Sequence, residues 1–228
     1  MNITYFGHSC FGVEVNSKHI LFDPFISPNE LASDIDVNTL KADYILVSHG
    51  HEDHIADLVS IANRTNAIVV CNWEISVWLN KHGISNTHPM NIGGKWKFDF
   101  GAVKCVAAVH SSSMPDGTYG GNPMGFIVES SESNFYYAGD TSLTMDMKLI
   151  GNYRSIDFAF LPIGDNYTMG VDNAIIAAEF IKCEKIIGMH YDTFENIKIE
   201  KDIAVRKFAN AGNELLLFNV GETRSIGK

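Results

Sequence analysis

The chain has 228 residues, 46% of them apolar, which is enough for a sizeable buried core in a single domain spanning residues 1–228. Acidic residues outnumber lysine plus arginine by 27 to 17, and Arg64, Arg154, Arg206 and Arg224 are scattered, so the basic footprint of a polyanion-binding protein is missing and no nucleic-acid partner is expected. The start MNITYFGHSCFGVEV lacks a basic region ahead of an apolar one, and no stretch approaches the ~20 apolar residues of a membrane span, so a cytoplasmic protein with no membrane partner is expected.

Short, β-rich apolar runs open the chain. A strand over 3–6 precedes His8 in GHSC, and strands over 11–15 and 19–22 form a hairpin ending at Asp23 in DPF. The strand at 44–47 runs straight into SHGHEDHIAD. Behind it, Ile55, Leu58, Val59 and Ala62 share one face of a helix over 55–63. A strand at 67–71 and a helix at 73–82, stopped by Gly83, come next. The strand at 103–109 ends at His110 and opens a long connection, 111–124, of the kind that is often functional. A second hairpin, 126–129 with 134–138, ends near Asp140. Strands at 157–161, 185–189 and 214–218 alternate with helices at 172–182 and 199–211, and His190 follows the middle strand. His19 in a hairpin, His82 at a helix end and His88 in a turn before Pro89 read as surface residues. Cys10, Cys71, Cys105 and Cys183 form no CxxC and read as buried thiols, which leaves nitrogen and oxygen to hold any metal.

An internal echo bears on architecture. FGVEVNSKHILFDP reads as strand, turn, strand and terminal aspartate, and GFIVESSESNFYYAGD repeats that order with Asp140 in the place of Asp23. Each is followed by another apolar strand ending in a polar loop, YILVSHGH in one half and DFAFLPIGD in the other. Two related halves whose helices cover one face of each sheet would pack their remaining faces together, giving an α/β fold with four αββα layers.

The HGHEDH cluster then acquires a position. His49 and His51 occupy same-face places just past a strand and can aim at one point, while Asp53 and His54, where the chain bends into a helix, can aim at a second a few ångströms away. That is the arrangement of a two-metal cluster. Such a cluster needs further ligands, and His110, Asp140 and His190 each lie just past the end of a predicted strand, where loops of a rigid sheet converge.

HGHEDH, AGDT and MHYDTF, together with GHSC, DPFIS, MNIGG, HSSS, GGNPMGF, DMKLIG and PIGDNYTMG, resemble the metallo-β-lactamase superfamily. Within it they resemble the branch of small metal-dependent hydrolases close to the ascorbate 6-phosphate lactonases. The resemblance implies the αββα sandwich. It also implies two divalent ions, with His49, His51 and His110 on the first, Asp53, His54 and His190 on the second, and Asp140 bridging. Asp23 would support the HxHxDH loop by hydrogen bonding, as the family acid does, or is a simple turn acid before Pro24.

Two such ions lower the pKa of a shared water to near neutrality beside a bound carbonyl or phosphoryl group, which makes the expected activity a metal-dependent hydrolysis. Asp53 would orient the nucleophile. His8 is a candidate for substrate binding or leaving-group protonation, beside a structural role at the strand end. Ser111, Tyr119 and Asn122 in the long connection, with Asn166, Tyr167 and Thr168 in DNYTMG, are candidate substrate contacts. Neither segment carries lysine or arginine, which leans toward a small ester, lactone or other weakly charged substrate, phosphodiesters included. The alternatives are a metallo-nuclease, opposed by the acidity, and a catalytically silent metal-dependent binding module, opposed by the full ligand set. Zinc suits these ligands best, manganese and iron fit them too, and a homo-oligomer is compatible with the sequence.

Overall fold

In the computed structural model, which describes residues 1–227, the first half comprises β1 (Asn2–Gly7), β2 (Cys10–Val15), β3 (Lys18–Phe22), β4 (Tyr44–Leu46), α1 (Glu52–Ile55), α2 (Leu58–Thr65), β5 (Ile68–Cys71), α3 (Trp73–Lys81) and β6 (Thr87–Pro89). The chain continues through β7 (Lys95–Phe98), β8 (Gly101–Ala107), β9 (Met124–Glu129), β10 (Asn134–Tyr137) and α4 (Met147–Tyr153). It ends with β11 (Phe158–Pro162), α5 (Val171–Ile181), β12 (Lys185–Met189), α6 (Lys201–Asn210), β13 (Glu214–Leu216) and β14 (Thr223–Ser225).

The strands form two mixed sheets, in the orders β14-β1-β2-β3-β4-β5-β6 and β13-β12-β11-β10-β9-β8-β7. The internal echo is a true repeat of plan. In the first sheet β1, β2 and β3 are antiparallel neighbours and β3 to β6 are parallel. In the second, β8, β9 and β10 are antiparallel and β10 to β13 parallel.

Alternation within the strands sends one set of side chains into the space between the sheets, where Phe22 stacks on Tyr137 with centroids 4.6 Å apart and Phe11 meets Phe160 at 4.7 Å. Removing a phenylalanine this deep from water contributes roughly 1.5–3 kcal/mol, so this aromatic layer is a main source of stability. On the outer face of the first sheet, Leu21, Ile45 and Val69 pack with Leu58, Ile61, Ile75 and Leu79 of α2 and α3. The small residues Ala174, Ala177 and Ala178 of α5, with Ala204 and Phe208 of α6, belong to the core on the second. The result is the expected four-layer αββα sandwich. All four cysteines are free and buried, as their place in apolar runs predicts.

Some elements differ from their prediction. The helix expected over 55–63 is broken, because Asp57 turns its carboxylate onto the backbone N–H groups of Ile26 and Ser27 at 2.7 and 2.9 Å instead of continuing α1. His88 lies in the parallel strand β6, paired with Val70, rather than in a turn. No strand was expected for β7 or β14, nor a helix for α4; β7 (KWKF) and β14 are short and mostly exposed, with weak apolar patterning.

β1, β3 and β4 run in one sense, as do β8, β10 and β12, so the residues just past all six ends gather at one edge of the sandwich. Those residues include His8, Asp23, His49, His110, Asp140 and His190.

Candidate metal centre

Beyond β4, Val47 still donates to Val70 O at 3.0 Å, after which Ser48 to His51 cross the sheet edge and turn into α1. The turn runs close beneath the 111–124 connection. A Cβ on Gly50 would come within 2.5 Å of Met114 Sδ and 3.3 Å of Ser113 O, and Gly50 N donates to Ser112 Oγ at 3.1 Å, so any larger residue would have to displace the buried Met114 side chain.

Asp23, wholly buried and in the left-handed region at φ 41°, is the anchor of the turn. Its Oδ1 accepts from Ser48 N at 2.7 Å, and its Oδ2 accepts from Ser48 Oγ at 2.6 Å and Tyr137 OH at 2.8 Å. His54 Nδ1 lies 2.9 Å from the same Oδ2, which turns His54 Nε2 toward Asp140. Asp23 is therefore not a plain turn acid; it holds the HxHxDH loop.

Two groups of potential ligand atoms result, one formed by His49, His51 and His110 and the other by His8, Asp53, His54 and His190, with the atoms of each group mutually within 4.8 Å; a third such set, Asp23 with His49 and His54, has both Asp23 oxygens already engaged by Ser48 and Tyr137. In the first, His49 Nε2 and His51 Nδ1 are 3.0 Å apart. Asp140 stands between the groups. Its Oδ2 lies 2.9 Å from His190 Nε2 and 3.5 Å from His110 Nε2, and its Oδ1 lies 3.3 Å from His54 Nε2.

Protonation states suit a cation. Burial pushes the His49 imidazole well below its ordinary range, and burial likewise lowers His51 and His110, so these rings are neutral with lone pairs available. Burial opposes ionisation of Asp140, yet His190 and His54 overcome it and hold the carboxyl well below the usual range. Asp53 is held low in the same way, chiefly by His54 and His8 against its burial. Burial disfavours charge on His54 too, but Asp140 and Asp53 pull its pKa well up, so the space between the two carboxylates favours positive charge. His54 Nε2, Asp140 Oδ1 and His190 Nδ1 are buried without a hydrogen-bond partner. Orphaned polar atoms at this depth are costly, and a set of imidazole nitrogens and carboxylate oxygens around them fits a divalent ion.

A cavity of about 390 Å³ opens onto these groups, lined by His51, Asp53, His110, Ser111, Asp140, Tyr167, His190 and Phe194. Of the expected substrate contacts, Ser111 and Tyr167 line it, with Ser111 Oγ 3.4 Å from His51 Nε2. Tyr119, Asn122, Asn166 and Thr168 do not. Tyr119 OH donates to Asn122 Oδ1 at 2.8 Å on the exposed side of the connection, and Thr168 Oγ1 donates to Met169 O at 3.3 Å. Asn166 is exposed in a turn where its N–H donates to Asp165 Oδ1 at 2.9 Å. Phe194 is a wall that the sequence did not single out, although it closes the MHYDTF segment four residues past His190. His8 is also placed differently from a substrate-contacting role. It is fully buried and outside the cavity lining, with Nε2 3.1 Å from Asp53 Oδ2 and Nδ1 2.9 Å from Thr193 Oγ1.

A four-layer sandwich with a histidine and aspartate cluster at one sheet edge is the arrangement of a metallo-hydrolase. Residues 18–191 match the model of the Beta-lactamase superfamily domain. A UPF0173 metal-dependent hydrolase of Flavobacterium johnsoniae is 55% identical over 98% of this chain and 99% of its own, and one of Methylacidiphilum infernorum is 53% identical with the same coverage. Among solved structures, Igni18, a metallo hydrolase of Ignicoccus hospitalis, superposes with a TM-score of 0.88 at 35% identity, covering 98% of this chain and 97% of that one. The chain belongs to the metallo-β-lactamase superfamily and, within it, to the UPF0173 metal-dependent hydrolases.

Proposed function

We propose that this metal-dependent hydrolase works with two divalent ions, zinc by preference, on a small, weakly charged ester, lactone or phosphodiester. The observation that carries the dinuclear reading is the place of Asp140, one buried carboxylate within 3.5 Å of histidines from both ligand groups and with an oxygen lacking any hydrogen bond. His49, His51 and His110 would hold one ion, Asp53, His54 and His190 the other, and Asp140 both. Manganese and iron also suit these donors. Bound there, the ions supply an activated water as nucleophile and polarise the substrate oxygen on which charge develops.

The chain's own groups do the rest. Asp23 fixes His54 and Ser48, and so the direction of the HxHxDH turn. Asp53, with 27% of its side chain exposed against 2% for Asp140, is the more open of the two carboxylates lining the cavity and would orient the attacking water. Phe194 and Tyr167 give the mouth apolar faces, and none of the residues lining it is lysine or arginine. Such a wall leaves a multiply charged substrate without counter-charge beyond the ions, which favours an ester or lactone and tolerates a phosphodiester.

The test is elemental analysis of purified protein, followed by a panel of esters, lactones, phosphodiesters, thioesters and RNA with and without chelator. About two ions per chain and chelator-sensitive turnover of a small ester or lactone are expected. Efficient, salt-sensitive cleavage of RNA would replace the substrate reading with a nuclease. Fully metallated protein inert across the panel would favour a binding module.

A further inference from the structure

His8 is fully buried and outside the cavity lining, as are His49 and His54, but its surroundings are unusually complete. Its backbone sits in the left-handed region at φ 56°, and its carbonyl accepts from His190 N at 2.9 Å and from Tyr5 OH at 3.2 Å. His190 itself has φ 55°, so two strained residues from opposite sheets lock each other in place. The His8 ring packs 4.1 Å from that of His190, with Phe25 and Phe194 edge-on at 5.5 Å. A ring clamped on these sides cannot swing to reach a substrate.

What the ring does reach is a carboxylate on one side and a hydroxyl on the other, and only one proton placement satisfies both. Asp53 Oδ2 only accepts, so the 3.1 Å contact places a hydrogen on Nε2, and the Thr193 hydroxyl can then meet Nδ1 as a donor. If that hydrogen sat on Nδ1, it would point at Thr193 Oγ1 and leave the Nε2 lone pair facing Asp53 Oδ2 at 3.1 Å, two acceptors in repulsion. The Thr193 hydroxyl would then be left with Tyr191 O, at a long 3.4 Å. With the hydrogen on Nε2, Asp53 accepts it and Thr193 donates to Nδ1 at 2.9 Å, so both ring nitrogens are satisfied.

We propose that Thr193, His8 and Asp53 form a relay that positions Asp53, with Thr193 selecting the His8 tautomer and His8 Nε2–H holding Asp53 Oδ2. That oxygen also faces His190 Nε2 at 3.8 Å and His54 Nε2 at 4.0 Å. A carboxylate oxygen has two lone pairs, so one can take the His8 hydrogen bond while the other serves the second ligand group. His8 is thus a positioning residue and not a ligand, although its nitrogen lies within ligand distance of the group. Thr193, three places past His190 and half-buried, is the switch that makes it so. The inference rests on the reading of Asp53 as a ligand.

The test uses zinc-reconstituted protein and three variants. Long-range ¹⁵N–¹H NMR should show His8 as the Nε2–H tautomer with no metal on its nitrogens. Thr193→Val, which removes the donor but keeps the shape, should shift that tautomer. It should also weaken one of the two ions by about tenfold in competition with a chelator and lower kcat with little change in KM. Thr193→Ser should restore all three. A parent protein with His8 as Nδ1–H, or bound to metal through Nε2, overturns the proposal, and so does Thr193→Val with unchanged zinc affinity. Asp53→Ala separates the two levels. If it loses one ion while Thr193→Val loses no affinity, the relay alone is wrong; if it keeps both ions, the ligand reading of Asp53 fails and takes the relay with it.

Discussion

Asp23 and Asp140 occupy equivalent places, each just past the second strand of the hairpin in its own half, and both are buried to within 2% of completely. Their fates differ. Asp23 is surrounded by donors from Ser48, His54 and Tyr137, whereas Asp140 has an oxygen with no hydrogen bond at all. The same holds for His8 and His110, which follow equivalent strands β1 and β8. The first is sealed between Thr193 and Asp53, and the second keeps 15% of its side chain exposed at the cavity. Past β4 stands the HGHEDH turn, and past its counterpart β11 the DNYTMG turn, which brings Tyr167 to the cavity but no histidine; past β5 stands Asn72, capping α3, and past β12 stands His190. A repeated backbone plan supplies equivalent positions, but whether a residue supports the site or forms it is decided by how many of its polar atoms the protein itself satisfies.

The sharpest way to break this contrast is to exchange the demands on the two aspartates. Asp140→Ala should remove both ions in elemental analysis and lower chelator-sensitive activity by more than about 10³-fold, beyond the loss of a single electrostatic donor. Loss of one ion only would make Asp140 a ligand of one group. His51→Ala and His190→Ala probe the halves separately. Each should leave circular dichroism and melting behaviour near those of the parent, because the aromatic layer between the sheets carries the stability. Each should also lose the ion of its own group.

Tyr137→Phe tests the support side of the comparison. It removes one of the donors to Asp23 and, being buried, should destabilise by about 1–3 kcal/mol in denaturant titration, with metal content intact. Equal destabilisation and metal loss would show that the two aspartates are not functionally separate. The smallest effect is expected far from the cluster, where Glu129 is held by Lys95 and Arg154 at 2.7 and 3.3 Å. Burial opposes its ionisation, but the Lys95 and Tyr153 hydrogen bonds prevail and depress its pKa. Its contribution is therefore present above the ordinary glutamate range and lost as pH falls through the lowered folded value. The stability gap between the parent and Glu129→Gln should close on acidification over that window, and a gap that widens would reverse the sign.

Much of this was legible in the chain. HGHEDH is a dense local cluster, and His110, Asp140 and His190 each follow an apolar run long enough to be seen as a strand, so their convergence could be read before any coordinates. The two hairpins with terminal aspartates announced the paired sheets. What stayed hidden depends on tertiary neighbours. Thr193 and Phe194 lie inside the MHYDTF segment, but nothing in it assigns them a role; they matter because the β12 loop folds back beside the β1 turn. The helix break at Asp57 arises from backbone donors thirty residues upstream. Exposed candidates such as Tyr119 and Asn122 were chosen by loop length, and that loop spends part of its polar capacity on holding itself in place, Ser112 Oγ accepting from Gly50 N of the HGHEDH turn and Gly120 O from Asn72 at the start of α3.

The buried cysteines have a practical side. Burial pushes Cys105 to about 12 and Cys183 to about 11 and raises Cys10 and Cys71 as well, so none offers a thiolate at neutral pH. The folded native chain is therefore expected to react slowly with maleimides and alkylating dyes. A single cysteine introduced at Tyr167, on the rim of the cavity, would be the lone reactive thiol, and a fluorophore there would report occupancy of the mouth without any need to strip the protein of its own sulfur.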